Sequence, residues 1–445
     1  PGSLAGAPRA PLVPAPLGTA RNIIFLVVDG MNVGTWSIAD YFAQRFRNRN
    51  SEWVRLYQEQ AVTRGLMETH SANSMVTDSG AAGSSWASGQ RINNGAINIT
   101  PEGKALEPIL VTARKNRKKT GLVTTTRISH ATPATFATNV ASRAQEEEIA
   151  VQYLDRGVDV LLGGGSRTFS VEGRSDDVDL VGRYRTAGYS VVGSREDLLA
   201  EKSDGSLLGT FWSSHFPYAI DREASTELKK QLPTLAEMMD VALDRLVSHP
   251  EGFILQVEGG RVDHAGHGND TGAIVHEMLA FDECIAVARA FTAEHPDTLV
   301  ILTTDHGTGG CQLNGVGSYY VDTNKSFEMI DKIGASYEGL QTLFGKGEDP
   351  DGFVSRVGDA LQVEITEERL AELRASAASG VAYGVANLLK EWHGSFERTG
   401  VNWTSGNHTG ELVEICSWGP GSERIGRYNR NFELNGVMRS ALGFA

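Results

Sequence analysis

Three carboxylic acids stand directly after short apolar runs of the sequence, at points where glycines allow the chain to turn. They are Asp29 before Gly30, Glu258 before Gly259, and Asp305 in the stretch TTDHG. A single acid in such a place is ordinarily a turn or helix-capping residue. Three from separate runs indicate the rim of an open α/β sheet, because ligands bind there at the carboxyl ends of the strands.

Histidines accompany these acids, although the chain has only 11 of them. Asp263 and His267 are four residues apart in RVDHAGH, so on a helix they share one face. Asp305 is followed by His306, and His408 lies in SGNHTGE. Mixed Asp and His sets suit zinc and similar ions, whereas carboxylate and hydroxyl sets suit magnesium. The pattern predicts at least two metal ions.

A nucleophile and an anion clamp are also visible. Ser79 lies in VTDSGAAG, where small residues predict a tight turn that opens a helix, and a helix N-terminus attracts anions. Ser79 could be a plain helix cap. A serine bound by a metal, however, becomes a nucleophile without a histidine base. Arg143, in VASR, could bind phosphate with two hydrogen bonds or could be an ordinary surface arginine.

The pattern of strands and helices that must position these residues predicts an α/β fold. Strand-like runs alternate with helical patterns such as those over 234–247 and 271–291; the runs are Ile23–Val28, Gly121–Thr125, Val158–Leu162, Gly252–Val257, Leu299–Thr303 and Leu412–Ser417. Such alternation predicts βαβ units. We therefore expect a doubly wound, mostly parallel sheet flanked by helices.

The chain divides into an arm, one domain and an insertion. Residues 1–20 are rich in Pro, Ala and Gly and predict a flexible N-terminal arm without the features of a signal peptide. Residues 21–445 predict one α/β catalytic domain. It is interrupted at 311–405 by a mostly helical stretch, which we interpret as a cap-like or crown-like insertion.

Composition excludes several classes of protein. The 445 residues are 40% hydrophobic and 22% charged, which argues against disorder and against a coiled coil. A net charge of −14 disfavours binding to nucleic acid. No apolar run approaches the roughly 20 residues that span a membrane. The 3 cysteines form no CxxC motif, and we expect them to be reduced and at least partly buried.

The motifs together resemble those of the alkaline phosphatases. In chain order they are VVDGMN, VTDSGAAG, SHATPA, VASR, VEGGRVDHAGH, TTDHG and NHTGE, and they span roughly 23–310 and 406 to the end. The resemblance implies a non-specific phosphomonoesterase active at alkaline pH. It also implies a phosphoserine intermediate and the release of inorganic phosphate and an alcohol.

The resemblance assigns roles to single residues. Ser79 matches the phosphorylated nucleophile, and Arg143 matches the arginine that holds the phosphate. Two zinc ions and one magnesium ion are implied, with these ligands: Asp263, His267 and His408 for the first zinc; Asp29, Asp305 and His306 for the second; Asp29, Thr132 and Glu258 for magnesium.

The sequence departs from the enterobacterial type of the family at three positions. His130 and His264 stand where that type has Asp and Lys, so magnesium, zinc and cobalt all stay open for the third ion. We expect Asp78, His130 and His264 to surround the nucleophile and this third site. Gly80 replaces an alanine, and we expect it to loosen the turn at the nucleophile slightly.

Other functions of related chemistry fit these residues less well. Sulfatases need a CxPxR-type nucleophile, which is absent, and diesterases usually use threonine and lack the third site. A phosphate- or metal-binding protein without turnover is a further alternative. The resemblance also implies a homodimer acting on small phosphate monoesters, either periplasmic or secreted.

Overall fold

The structure, a computed structural model, describes residues 19–345 and 350–444. The predicted arm at 1–20 lies outside the described residues except for its last two. A large mixed sheet with helices on both faces forms the body of the molecule.

The strands vary from two to nine residues in length. In chain order they are β1 Asn22–Val28, β2 Thr63–Glu68, β3 Lys119–Arg127, β4 Val160–Gly164, β5 Ser190–Val192, β6 Leu207–Thr210, β7 Phe253–Gly259, β8 Thr298–Thr303, β9 Gly307–Thr308, β10 Gln312–Leu313, β11 Val401–Asn402, β12 His408–Thr409, β13 Val413–Trp418 and β14 Tyr428–Arg430.

The helices connect the strands and cover both faces of the sheet. In chain order they are α1 Val33–Arg47, α2 Glu52–Glu59, α3 Ser79–Ser88, α4 Ile109–Lys115, α5 Ala131–Ala137, α6 Glu146–Asp155, α7 Leu180–Thr186, α8 Arg195–Ala200, α9 Ala219–Ala224, α10 Thr226–Gln231, α11 Leu235–Val247, α12 Arg261–Gly268, α13 Thr271–Glu294, α14 Thr323–Glu328, α15 Tyr337–Gly345, α16 Pro350–Leu361, α17 Glu367–Ala378, α18 Gly384–His393, α19 Ser395–Thr399 and α20 Glu433–Ala441.

The strand order of the large sheet is β14-β2-β13-β8-β1-β7-β3-β4-β6-β5. Every pairing is parallel except those of β13, which runs antiparallel to both β2 and β8. The predicted doubly wound, mostly parallel sheet is therefore confirmed. Strand β13 corresponds to the predicted run at 412–417, whose reversed direction the sequence did not reveal.

Strand β1 shows why the sheet is covered on both faces. All seven of its residues are buried. Because successive side chains of a strand point to opposite faces, Ile24 and Leu26 join one apolar cluster while Ile23 and Phe25 join the other. A near-continuous apolar strand of this kind is typical of a parallel sheet with helices on both sides.

The segment at 311–405 begins and ends at a small antiparallel sheet. Its strands β10 and β11 pair Gln312 with Asn402. Between them lie the short helices α14 to α19. That this segment acts as a cap stays a prediction.

Two smaller observations concern cysteines and membranes. All three cysteines are free and buried, as expected. Among the described residues, none of the helices combines the length and the apolar character that a membrane crossing requires.

Candidate active site

Four adjacent strands bring the acids of the sequence motifs together. Strands β8, β1, β7 and β3 are neighbours in that order. Val27 of β1 is paired with Glu258 on one side and with Thr303 on the other, so Asp29 and Asp305 follow at the same edge. Asp29, Glu258 and Asp305 are completely buried. The strand-end pattern thus converges on one place.

The first group of candidate ligands is Asp263, His267 and His408. Helix α12 places Asp263 and His267 one turn apart, with 3.4 Å between Oδ2 and Nε2. Strand β12 pairs with β9 and brings His408 Nε2 to 3.6 Å from Asp263 Oδ1. The Nδ1 atoms of the two histidines lie 2.7 Å and 2.8 Å from the carbonyl oxygens of Gly406 and Thr77. Because a carbonyl can only accept, each Nδ1 donates, and each Nε2 is left as a ligand.

The second group is Asp29, Asp305 and His306. His306 Nε2 lies 3.1 Å from Asp305 Oδ2 and 3.6 Å from Asp29 Oδ1. The hydroxyl of Thr308 donates to Asp263, at 2.6 Å, and lies 3.3 Å from His306 Nδ1. Thr308 therefore links the first group to the second, a role that its position in the sequence did not suggest.

The third group is Asp29, Glu258 and His130, with Thr132 beside them. Thr132 lies in the first turn of α5 and donates its hydroxyl to Asp29 Oδ2 at 3.2 Å. The hydroxyl of Thr124 donates to Oε2 of the Glu258 carboxylate. Asp29 belongs to both the second and the third group.

The hydrogen-bond pattern of these groups fits metal ions. Asp29 Oδ1, Glu258 Oε1 and Asp305 Oδ2 are buried and have no hydrogen-bond partner among the described residues. Buried carboxylate oxygens without a donor are costly unless a cation compensates them. The unpartnered atoms are oxygens of candidate ligands, so the residues present suit bound cations.

Without ions, the negative charges of this cluster are opposed by burial and by one another. Burial raises the pKa of Asp29 well above its usual value, and the charges of Asp305 and Asp263 raise it further. Burial raises the pKa of Glu258 to about 7. Burial opposes the charge of Asp263 as well, but its hydrogen bond with His267 prevails and holds its pKa well below the usual range. Too many acids share this volume for all to ionise without cations.

Ser79 lies at the first turn of α3, beside the second group. It is buried, and its Oγ is 3.3 Å from His306 Nε2. The helix is capped by Asp78, whose Oδ1 accepts from the backbone N–H of Ala81 at 2.9 Å. Ser79 is therefore not the cap. Its hydroxyl faces a candidate metal ligand instead.

Gly80 does something other than loosen the turn. A Cβ at this position would lie 2.8 Å from the carbonyl oxygen of Ala96. A contact under 3.0 Å forces the backbone to shift, so the glycine allows two segments to approach closely.

Arg143 reaches the same place from the loop after α5. Its guanidinium donates to Asp78 Oδ2 at 3.0 Å and lies 3.0 Å from His130 Nε2. Because arginine can only donate, Nε2 of His130 accepts and the ring proton belongs on Nδ1. Burial and the charge of Arg143 lower the pKa of His130 well below its usual value.

His264 belongs to a cluster of three imidazoles, and sequence reasoning missed its third member. The ring of His215 lies 4.4 Å from that of His264 and 5.3 Å from that of His130. Burial lowers the pKa of all three, so the rings are neutral near pH 7. His215 follows the end of β6 by five residues, in a loop that no predicted strand marked.

Comparisons with known proteins agree on one family. The sequence model of the family described as "Alkaline phosphatase" matches residues 20–444. Alkaline phosphatase 4 of Bacillus subtilis is 31% identical over 428 residues, covering 94% of this chain and 88% of that protein. The repressible alkaline phosphatase of Saccharomyces cerevisiae is 37% identical over 320 residues, covering 65% of this chain and 55% of that protein.

Solved structures give the same result. The alkaline phosphatase of Thermus thermophilus superposes with a TM-score of 0.89 at 33% identity, covering 97% of this chain and 93% of that one. The cold-active alkaline phosphatase of a psychrophilic Shewanella species superposes with a TM-score of 0.79 at 28% identity, covering 95% and 99% of the two chains.

Proposed function

The chain belongs to the alkaline phosphatase family and is a phosphomonoesterase, and we propose that it works at alkaline pH through a phosphoserine formed on Ser79. The observation that carries this proposal is that a buried serine at a helix start lies 3.3 Å from His306, a member of the second of three adjoining candidate ligand groups. A serine that served only to cap α3 would not need them, and Asp78 already fills that role.

The residues of the chain divide the chemistry among themselves. The Ser79 oxygen gives up its proton to solvent water and forms a bond to phosphorus, and the bond from phosphorus to the alcohol oxygen breaks. The alcohol leaves with a proton from water. Arg143 binds two phosphate oxygens and orients the phosphoryl group for in-line attack. Water then cleaves the phosphoserine, which releases inorganic phosphate and restores Ser79.

Two zinc ions and one magnesium ion are the cofactors that we propose. Asp263, His267 and His408 would hold one zinc, and Asp305, His306 and Asp29 the other, since mixed nitrogen and oxygen ligands suit zinc. When bound, the ions lower the pKa of the Ser79 hydroxyl and of water, and they offset the charge of the phosphate.

Magnesium is our proposal for the third site, held by Asp29, Thr132 and Glu258. These ligands are all oxygens, which magnesium prefers. His130 is the residue that would favour zinc or cobalt there. Its Nε2 accepts from Arg143, and its Nδ1, which is buried without a hydrogen-bond partner among the described residues, would have to lose its proton to bind an ion. Magnesium therefore has the better support.

Asp78, His130 and His264 would act around the reacting groups rather than on them. Asp78 holds both the start of α3 and the Arg143 guanidinium. Homodimerisation and export to the periplasm or outside the cell are proposals that rest on family resemblance alone.

The test is hydrolysis of a simple aryl phosphate by protein loaded with zinc and magnesium. We expect Ser79→Ala to abolish turnover while leaving the bound metal content unchanged. A variant that kept full activity would contradict the nucleophile. Loaded protein that bound phosphate stoichiometrically without turning over any monoester would instead support a binding protein.

A further inference from the structure

A cavity of about 350 Å³ opens beside the first candidate metal group. Helix α12 forms one wall with His264 and His267, and the segment at 311–405 forms the opposite wall with Tyr337 of α15 and Tyr383 at the start of α18. The cavity therefore touches a candidate zinc ligand on one side and the predicted insertion on the other.

The lining of this cavity is aromatic and small. Tyr218, Tyr337 and Tyr383 contribute rings, and Ala382 and Ala386 leave room between them. A cavity of about 150 Å³ is enough to hold benzene, so one of this size has room for a phenyl or naphthyl group. Apolar and aromatic walls with a few polar groups are typical of small-molecule sites.

The charged groups around the cavity are already paired. Glu338 accepts from Arg261 at 2.9 Å, and the Arg261 guanidinium covers the ring of Tyr218 at 3.9 Å. Asp270 accepts from the backbone N–H groups of Ala273 and Tyr337. Of the cavity's lining residues that the structure describes, none is a lysine or an arginine. Burial opposes the charge of His267, but its hydrogen bond with Asp263 raises its pKa to about 9, so this lining imidazole is also paired.

We propose that this cavity, the aryl pocket, receives an uncharged aromatic leaving group of the monoester, and that Tyr383 is a specificity-determining residue. The inference rests on the proposed function, because the ester oxygen must lie near the ligands His267 and His408 for its substituent to enter the pocket. Aryl and similar aromatic monoesters are therefore the preferred substrates, ahead of short alkyl phosphates.

Tyr383 suits substitution as a test. It is 58% exposed, so its ring supports little of the core. Its φ of 58° lies in the left-handed region, where a residue with a Cβ is strained. Alanine and phenylalanine both keep the Cβ, so neither substitution relieves that strain. Tyr319 is the matched control: it is also in the 311–405 segment with a positive φ, is 95% exposed, and does not line the cavity.

The experiment compares 1-naphthyl phosphate with methyl phosphate as substrates of the metal-loaded protein. For each variant we take the ratio of kcat/KM for the two esters and compare it with the wild-type ratio. This comparison cancels the difference in intrinsic reactivity between the esters. We expect Tyr383→Ala to lower the ratio about two- to tenfold, as loss of an aromatic contact does. Tyr383→Phe and Tyr319→Ala should leave it within about twofold of the wild type.

Binding of phosphonates gives a readout that does not need turnover. Calorimetry should show that phenylphosphonate binds more tightly than methylphosphonate, and that Tyr383→Ala removes most of the difference. Equal affinities in the wild type, or an unchanged difference in Tyr383→Ala, would overturn the aryl pocket. Loss of hydrolysis of every ester, with the phosphonate difference intact, would overturn the proposed function and still support the pocket.

Discussion

Asp78 holds two backbone segments with its two carboxylate oxygens, and this can be dissected with two substitutions. Oδ1 accepts from the N–H of Ala81 and caps α3, whereas Oδ2 accepts from the N–H of Gly95 at 3.0 Å and from Arg143. Asp78→Ala removes both acceptors. In Asp78→Asn the remaining oxygen should face the two donors, Gly95 and Arg143, which turns the NH₂ group toward the N–H of Ala81, where it cannot accept.

The magnitudes follow from the contacts. Loss of a side-chain helix cap costs about 1 kcal/mol. Loss of the hydrogen bond from Gly95 costs about as much, because that residue is partly exposed and water can replace the acceptor. A change of about 1 kcal/mol in local opening corresponds to about fivefold faster amide exchange. We therefore expect about fivefold faster exchange at both amides in Asp78→Ala, and at Ala81 alone in Asp78→Asn.

The assay is hydrogen–deuterium exchange resolved to peptides that contain Ala81 or Gly95. Exchange in a distant strand such as β4 serves as the internal reference and should not change. The reasoning would be refuted by equal exchange of Gly95 in both variants, or by protection of both amides in Asp78→Ala. Activity adds a second readout: Asp78→Ala releases Arg143 as well as the first turn of α3, so it should lower kcat/KM more than Asp78→Asn does.

Three other predictions concern the same site. In chelated protein, the pKa of Glu258 is raised from 4.5 to about 7 by burial. The stability that the protonated Glu258 side chain contributes is therefore fully present below pH 4.5 and is lost as pH rises through 7. The wild type should therefore lose Tm relative to Glu258→Gln between about pH 5 and pH 8, and saturating zinc and magnesium should abolish the loss; parallel Tm curves without metal would contradict this. Gly80→Ala should lower the free energy of unfolding by about 1 to 3 kcal/mol, since its Cβ would meet the carbonyl of Ala96, and an unchanged denaturation midpoint would count against the close approach. His264→Lys adds a positive charge beside His215 and should shift the pH–rate profile and phosphate affinity, so an unchanged profile would argue against the placement of His264.

The strand ends could be predicted because they depend on local sequence. A buried parallel strand is a continuous apolar run, and the residue after it lies at the ligand-binding edge, which is how Asp29 and Asp305 were found. The four-residue spacing of Asp263 and His267 likewise needs only a helix. Assigning Thr132 and Arg143 required the family resemblance, because neither residue type nor spacing distinguishes them from ordinary surface or helix residues.

Other features depend on contacts between distant segments. The reversed direction of β13 is set by its neighbours and leaves no mark on an apolar run. Strand β2 was not predicted, because at the edge region of the sheet its exposed residues interrupt the apolar pattern. The cavity beside α12 combines residues near 218, 264, 337 and 383, and no local pattern joins them.

Asp29 has one further consequence, because its single carboxylate serves two of the candidate ligand groups. In the ion-free protein its raised pKa favours the protonated acid. On the proposed assignment, the first ion to bind displaces that proton, and the second then finds an already ionised oxygen. Loading of the two sites becomes cooperative and, by thermodynamic reciprocity, each ion strengthens the other by the same factor. Under scarce metal, chains would divide into empty and doubly filled populations, with few half-loaded intermediates.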